Sequence, residues 1–165
     1  MKLKLLPGKI WFLVILLLPC FLFSKCKKED PLPEYYIKCK IDGIDYLPNN
    51  CANCMRSQLL GDTVFLMNAN ADYQTVLIGV TNKPNFIEGN YILISPMSGG
   101  AFKNSTITSD RYDTDSIRTG VLNIKTLDKI KKICEGTFYF QAFNRVRNKT
   151  VNITEGKFRL KYTIN

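Results

Sequence analysis

The sequence contains no histidine among its 165 residues. Ser-His-Asp and Cys-His catalysis are therefore excluded, because both use imidazole as the general base. The common zinc hydrolase sites are excluded as well, since their ligands include histidine. Any enzyme built from this chain would have to work with carboxylate, lysine, tyrosine or cysteine side chains. We expect no metal and no cofactor, and we assign no catalytic residue.

Charge is absent from one long stretch near the start of the chain. The run from Ile10 to Phe23 has no charged side chain, and three lysines precede it within the first nine residues. As a helix this run would extend about 21 Å, at roughly 1.5 Å per residue, whereas the hydrocarbon core of a bilayer is about 30 Å thick. A short apolar run behind lysines is typical of a secretory signal peptide. We predict a signal peptide over residues 1–25, with an uncleaved membrane anchor as the alternative.

Cys26 is the predicted site of lipid attachment. Phe23 and Ser24 resemble the bacterial lipobox, in which an apolar residue stands three places before the cysteine, although Lys25 departs from the usual small residue. Cys20 fits less well, because a proline precedes it and an apolar segment would follow. The alternative for Cys26 is an ordinary cysteine just beyond the cleavage site.

The segment that follows the leader is predicted to be a tether. Residues 26–34 contain the lipidated cysteine followed by a polar, proline-punctuated sequence, a composition that keeps a chain extended. Several acyl chains, such as palmitate, hold a protein on a membrane far better than one chain does. The run from Lys28 to Asp30 resembles the acidic export tag of some Bacteroidota-type lipoproteins. We therefore predict a lipid anchor in the outer membrane, on the periplasmic or cell-surface side, with residues 35–165 as a single β domain.

The formal net charge of +9 overstates the charge of the mature chain. Removal of the leader takes away four lysines and leaves 19 basic and 14 acidic residues, a net charge of +5. This modest surplus gives no reason to expect nucleic acid as a partner. The expected partners are the membrane, through the lipid anchor, and glycans or other envelope proteins.

The remaining sequence alternates between apolar and polar residues over many short segments. In the last segment, for example, Phe158, Leu160 and Tyr162 alternate with polar residues, which is typical of a strand with one buried face. The spacing predicts an all-β domain of about eight or nine strands, an antiparallel β-sandwich or, as the alternative, a β-barrel. The predicted strands lie at 35–41, 44–47, 63–71, 74–81, 91–94, 120–127, 133–144, 150–154 and 157–164. The segments 51–62 and 95–116 are predicted to be loops.

Three runs carry a resemblance to a known family. They are Gly-Val-Leu-Asn-Ile-Lys-Thr-Leu-Asp-Lys at 120–129, Cys-Glu-Gly-Thr-Phe-Tyr-Phe-Gln-Ala-Phe-Asn at 134–144 and Thr-Val-Asn-Ile-Thr-Glu-Gly-Lys-Phe at 150–158. They resemble the C-terminal signature of an uncharacterised lipoprotein family from Bacteroidota-type bacteria, and Cys-Lys-Ile-Asp-Gly at 39–43 resembles its N-terminal part. The resemblance implies a lipid-anchored all-β domain of unknown function. It brings no catalytic residues.

Four cysteines remain after the anchor, and an exported chain meets an oxidising compartment. The spacing suggests a local Cys51–Cys54 disulfide, and the strand positions suggest that Cys39 and Cys134 face the core and pair with each other. The alternatives are unbridged thiols, a four-thiolate zinc site and redox catalysis, although the last lacks a thioredoxin-like context.

Two groups of charged residues are candidates for ligand contact. Lys157, Arg159 and Lys161 alternate along the last predicted strand, where they could bind acidic glycans or lipid head groups. A solvated strand face explains them equally well, and lysines there also discourage edge-to-edge aggregation. Asp113 and its neighbours at 110 and 115 are interpreted as a solvated loop, since the glycine and distal glutamate of a calcium-binding EF-hand loop are missing.

These observations favour a lipid-anchored envelope lipoprotein whose β domain is a non-catalytic binding or structural module. The alternative is a carboxylate-based hydrolase that acts on envelope or dietary glycans. Such an enzyme needs two carboxylates held about 5 to 9.5 Å apart across a cleft. The sequence identifies no such pair.

Overall fold

Almost all of the regular structure consists of β-strands, which confirms the predicted all-β fold class. The structure is a computed structural model, and it describes residues 32–48, 54–82, 84–104 and 110–165. Its strands are β1 Tyr36–Ile41, β2 Ile44–Tyr46, β3 Met55–Leu60, β4 Val64–Ala71, β5 Gln74–Thr81, β6 Gly89–Leu93, β7 Gly99–Lys103, β8 Arg111–Asp113, β9 Gly120–Asp128, β10 Ile133–Asn144, β11 Lys149–Lys161 and β12 Thr163–Ile164. Across the described ranges, no helix has the length and apolarity needed to cross a bilayer.

The first hairpin forms where the sequence predicts it. In β1, Ile37, Cys39 and Ile41 are buried while the residues between them are partly exposed. The turn to β2 consists of Asp42 and Gly43, whose φ angles are 49° and 85°. Two successive residues with positive φ make the tight turn whose twist matches that of the flanking strands.

The twelve strands form one open, mixed sheet. Its order is β12-β3-β4-β5-β7-β8-β10-β11-β1-β2, and β9 pairs with both β10 and β6. Every strand pairing in the described residues is antiparallel except that of β12 with β3. The predicted count of eight or nine strands was therefore too low, and the predicted antiparallel pairing holds at every described pair but this short one.

The core lies between distant parts of this sheet, which gives the domain a sandwich-like arrangement. Phe65 of β4 stacks on Phe86 with ring centroids 4.9 Å apart, and it lies 6.5 Å from the ring of Phe158 on β11. Phe158 in turn lies 6.3 Å from Phe138 on β10. Because β4 and β11 are not neighbours in the sheet order, these rings join two parts of the folded sheet across a common core.

Two segments predicted to be loops contain strands. Residues 51–62 include β3, in which Ser57 and Leu59 are buried, and the Ser57 hydroxyl donates a hydrogen bond to the Lys161 carbonyl at 3.2 Å. Because β3 is polar in composition, its alternation of buried and exposed residues is not visible in the sequence. Residues 95–116 include β7 and β8, and β7 begins with two glycines that suggest a loop. At Gly100 a Cβ would lie 2.7 Å from the Phe140 ring, so close packing rather than flexibility requires glycine there.

The two strands predicted at 150–154 and 157–164 are instead a single long strand and a short continuation. β11 runs through both segments because a bulge at Glu155 and Gly156 accommodates the break in the alternation of buried and exposed residues. Glu155 has a φ of 54°. A bulge places an extra residue in one strand without ending the pairing. β11 ends at Lys161, and the residues after Tyr162 pair with β3 as β12.

Candidate functional site

The structure does not bring Cys39 and Cys134 together. Both are buried free thiols, on β1 and β10, and β11 lies between those two strands. Two strand spacings separate their backbones by about 10 Å, and an offset of about four residues along β11 adds roughly 13 Å. A disulfide needs Cα atoms about 4.4 to 6.8 Å apart. The predicted pairing was wrong, although the inward direction of both side chains is confirmed.

The same burial makes these two thiols poor nucleophiles. Removal from water raises the pKa of Cys39 and of Cys134 to about 12, and the charge of Glu88 adds to the effect at Cys134. A thiolate is the reactive form of cysteine, so neither side chain is poised for redox chemistry at neutral pH. Cys51 and the predicted lipidation site Cys26 lie outside the described residues.

The predicted basic patch is only partly assembled. Lys157, Arg159 and Lys161 lie on the outward face of β11, at alternate positions. The Arg159 guanidinium, however, forms an ion pair with Glu135 of β10, with 2.7 Å between Nη1 and Oε2. Lys157 lies directly opposite Lys38 of β1, which the sequence did not indicate.

The three aspartates near β8 each pair with an arginine. The pairs are Asp110 with Arg147, Asp113 with Arg111, and Asp115 with Arg118. In the Asp113 pair, 2.8 Å separates Oδ1 from the arginine Nη2. In the Asp115 pair, 2.9 Å separates Oδ2 from the arginine Nη1.

The Asp115 carboxylate is also held by the backbone. It accepts hydrogen bonds from the amides of Arg118 and Ile117, which together with the guanidinium lower its pKa. A general acid needs the opposite shift. Within the parts of the chain that the structure describes, no three potential ligand side chains cluster as a metal site.

A groove that sequence reasoning missed lies on the outer face of β3, β4, β5, β7 and β8. It is open to solvent and has a volume of about 520 Å³. Its floor is built from rows of residues that face one another across neighbouring strands. One row consists of Gln58, Leu66, Gly79 and Gly99. The next consists of Arg56, Asn68, Leu77, Ala101 and Asp113.

The hollow arises because small residues stand in the middle of these rows. Gly79 and Gly99 have no side chain, and a Cβ at Gly79 would already lie 3.0 Å from a methyl group of Leu66. The loop between β6 and β7 forms one rim, and β5 holds it in place. The Thr81 amide donates to the Ser98 hydroxyl at 3.1 Å, and the Thr81 hydroxyl donates to the Met97 carbonyl at 3.2 Å.

The groove has an apolar centre and polar ends. Leu66, Leu77 and Met97 line the centre, Arg56 lies at the β3 end, and the Arg111–Asp113 pair lies at the β8 end. A second hollow of about 730 Å³ shares the β8 end and continues towards the end of β10. The arrangement offers shape and hydrogen-bonding groups to a ligand. Among the described residues, the only carboxylate that lines the first groove is Asp113, which is already paired with an arginine.

Comparison with known proteins adds one finding to this geometry. No curated protein and no solved structure matches the chain. A family model described as "Domain of unknown function (DUF6252)" matches residues 51–160, a span that contains every strand of the groove. This match confirms the resemblance to an uncharacterised domain, while the lipoprotein part of that resemblance stays a prediction. The chain belongs to the DUF6252 family of domains of unknown function.

Proposed function

We propose that this protein is a lipid-anchored envelope lipoprotein whose β domain binds a ligand without catalysing a reaction. The apolar run behind lysines, Cys26 and the polar tether support the anchor. The groove on the outer face of the sheet supports the binding role, and it is the observation that carries the proposal. An open hollow with an apolar centre and a few polar groups at its ends is typical of binding sites.

The chemistry of the groove favours an elongated ligand with an apolar body and an anionic end. Leu66 is 38% exposed at the floor, although its neighbours in the chain are packed in the core. Arg56 is exposed at the β3 end, and among the described residues it has no ion pair. An arginine of this kind is well suited to a carboxylate, sulfonate or phosphate group.

A fluorescent probe with the same two features tests this binding site. Anilinonaphthalene sulfonate has an apolar ring system and one sulfonate, and its fluorescence rises when it leaves water. We expect saturable binding to the full chain in mild detergent. Leu66→Asp should weaken that binding about tenfold or more, and Arg56→Ala should weaken it about threefold to tenfold, because each change removes one of the two contacts.

Two matched variants serve as controls. Ile130→Asp places the same charge on an exposed turn outside the groove, and Lys131→Ala removes a cation from that turn. Both should leave the dissociation constant unchanged. Equal affinity of wild type, Leu66→Asp and Arg56→Ala would refute the groove as the binding site.

The lipid anchor has a separate test. Cells grown with labelled palmitate should yield a labelled membrane-bound protein, and the Cys26→Ala variant should lose both the label and the membrane association. Retention of the label by Cys26→Ala would refute the assigned attachment site.

The hydrolase alternative receives less support from the described side chains. Asp113 and Asp115, which line the hollows, each bond an arginine, and the pKa of Asp115 is lowered. Binding without catalysis is therefore the function that the geometry supports best.

A further inference from the structure

We infer that the turn between β9 and β10 makes a second contact with the membrane, on a lipid surface that carries anionic head groups. This turn, called here the Ile130 tip, consists of Lys129, Ile130, Lys131 and Lys132. The inference rests on the proposed lipid anchor and adds which end of the β domain faces the bilayer. The groove lies on β3 to β5, β7 and β8, so it is a separate surface.

The Ile130 tip presents one apolar side chain among cations. Ile130 is 95% exposed, and the three lysines beside it are exposed as well. None of these lysines forms an ion pair within the described part of the chain. An isoleucine at such a position can enter the apolar zone below the head groups, while the lysine ammonium groups stay at the level of the lipid phosphates. This composition fits an anionic bilayer surface.

Hydrogen bonds hold the Ile130 tip in one conformation. The Asp128 carboxylate accepts hydrogen bonds from the amide of Ile130 at 3.0 Å and from the amide of Lys131 at 2.8 Å. Lys132 has a φ of 56°, and its carbonyl accepts a hydrogen bond from the Tyr162 amide at 2.9 Å. Three lysines against one aspartate give the segment 128–132 a net charge of +2. The turn therefore presents its positive charge and its isoleucine on a fixed backbone.

The described chain enters the β domain at the same end as the Ile130 tip. β1 begins at Tyr36, which lies opposite Arg159 of β11, and Arg159 lies opposite Glu135 near the start of β10. Along the strands, the start of β1 is about 13 Å from the level of the tip, since about four residues at roughly 3.3 Å each separate them. Cys26 precedes Tyr36 by ten residues, a length that spans at most about 35 Å. An anchor at Cys26 therefore leaves the tip within reach of the bilayer.

The opposite end of β10 has a similar sequence in a different electrostatic setting. Val146 is 82% exposed in the turn after β10, between Arg145 and Arg147. Arg147 forms an ion pair with Asp110, which neutralises part of the positive charge of that turn. The 12 residues of β10 also place that turn about 36 Å from the start of the strand, at roughly 3.3 Å per residue. Val146 is therefore a matched control for Ile130.

The test introduces a tryptophan at the tip of the full protein. The sequence has a single tryptophan, Trp11, inside the predicted leader, so the processed wild-type protein would contain none. Ile130→Trp and Val146→Trp are purified from membranes and reconstituted in vesicles of phosphatidylcholine and brominated phosphatidylglycerol, whose bromine quenches nearby tryptophan. We expect the lipid to quench at least about half of the fluorescence of Ile130→Trp and less than about a tenth of that of Val146→Trp, because only the first side chain enters the interface.

Charge reversal tests the contribution of the lysines. With Lys131→Glu and Lys132→Glu added to Ile130→Trp, the quenching should fall about threefold or more, because each lysine near an anionic surface adds to the attraction. Vesicles of brominated phosphatidylcholine alone should reduce the quenching of Ile130→Trp by a similar factor. Arg145→Glu, added to Ile130→Trp as the control, should leave the quenching unchanged.

The Ile130 tip and the anchor can fail independently. Labelled palmitate on a protein whose Ile130→Trp variant is quenched no more than Val146→Trp would overturn the tip and leave the anchor in place. Quenching of Ile130→Trp above the wild-type signal, in a protein without labelled palmitate, would refute the anchor and support the tip. Unchanged quenching after the two lysine reversals would overturn the assignment to anionic lipid. If a melting curve shows that Ile130→Trp is not folded, Lys131→Trp takes its place in the same comparison.

Discussion

Replacement of Phe65 by alanine, compared with the same replacement at Leu66, tests how the sheet separates the core from the groove. The two residues are neighbours on β4, but Phe65 is 0% exposed in the core and Leu66 faces the groove. Loss of the Phe65 ring removes its stacking on Phe86 and its contact with Phe158. Deletion of a buried phenylalanine ring costs about 3 to 5 kcal/mol, because apolar burial is lost and a cavity remains.

The expected shift in melting temperature follows from the size of the unit. The 134 residues from Leu32 to Asn165 imply an unfolding entropy of about 0.28 kcal/mol per kelvin. Phe65→Ala should therefore lower the melting temperature by about 11 to 18 °C. Leu66→Ala removes a side chain that already contacts solvent and should cost about 1 kcal/mol or less, or roughly 4 °C.

Thermal unfolding followed by circular dichroism, with urea unfolding as a second measurement, gives both free energies. The ratio of the two losses in the free energy of unfolding is more informative than either value, because both residues lie on the same strand of the same protein. A cost at Leu66 equal to or greater than that at Phe65 would refute the assigned direction of β4, and with it the groove.

Three further predictions concern the core and the backbone. Tyr162 is fully buried, and its hydroxyl has no hydrogen-bond partner among the described residues. Urea unfolding of Tyr162→Phe should therefore show a free energy of unfolding that is unchanged or higher by up to about 1 kcal/mol. Cys39 and Cys134 should resist alkylation at pH 8 in the native protein and react in guanidinium, which peptide mass spectrometry would detect. Because folding raises both pKa values from 9.0 to about 12, the contribution of these two thiols to stability should be constant below pH 9 and should fall as the pH rises from 9 towards 12. Gly156→Ala places a Cβ 2.4 Å from the Phe138 carbonyl oxygen and should lower the free energy of unfolding by about 1 to 3 kcal/mol. Gly61→Ala has open space around its Cβ and should lower it by only about 1 kcal/mol, because of the positive φ at that position. Equal effects of the two variants in urea unfolding would contradict the packing at the bulge.

The sequence predicted the strands whose side chains alternate clearly. In β1, and in the middle of β4, β5 and β10, alternate residues are apolar and buried, so a period of two is visible without a structure. The strands that it missed lack this signal. β3 places Ser57 in the core, and β7 opens with two glycines, so neither resembles a half-buried strand in the sequence.

The candidate site was less predictable, because it depends on register rather than on composition. Leu66, Gly79 and Gly99 form a hollow only when three strands place them side by side, and one of those strands was predicted to be a loop. The error over Cys39 and Cys134 has the same origin. Both were correctly predicted to point inward, but only the strand order shows that β11 separates them. The direction of a side chain follows from a short sequence pattern, whereas the identity of the neighbouring strands follows from the whole topology.

The most direct test of the proposed lipoprotein is the intact mass of the protein purified from cell membranes. The account predicts a chain that begins at Cys26, with a mass increased by a diacylglyceryl group and a further acyl chain on that residue. Recovery of an unmodified chain that still begins with Met1, from the cytosolic fraction, would contradict it.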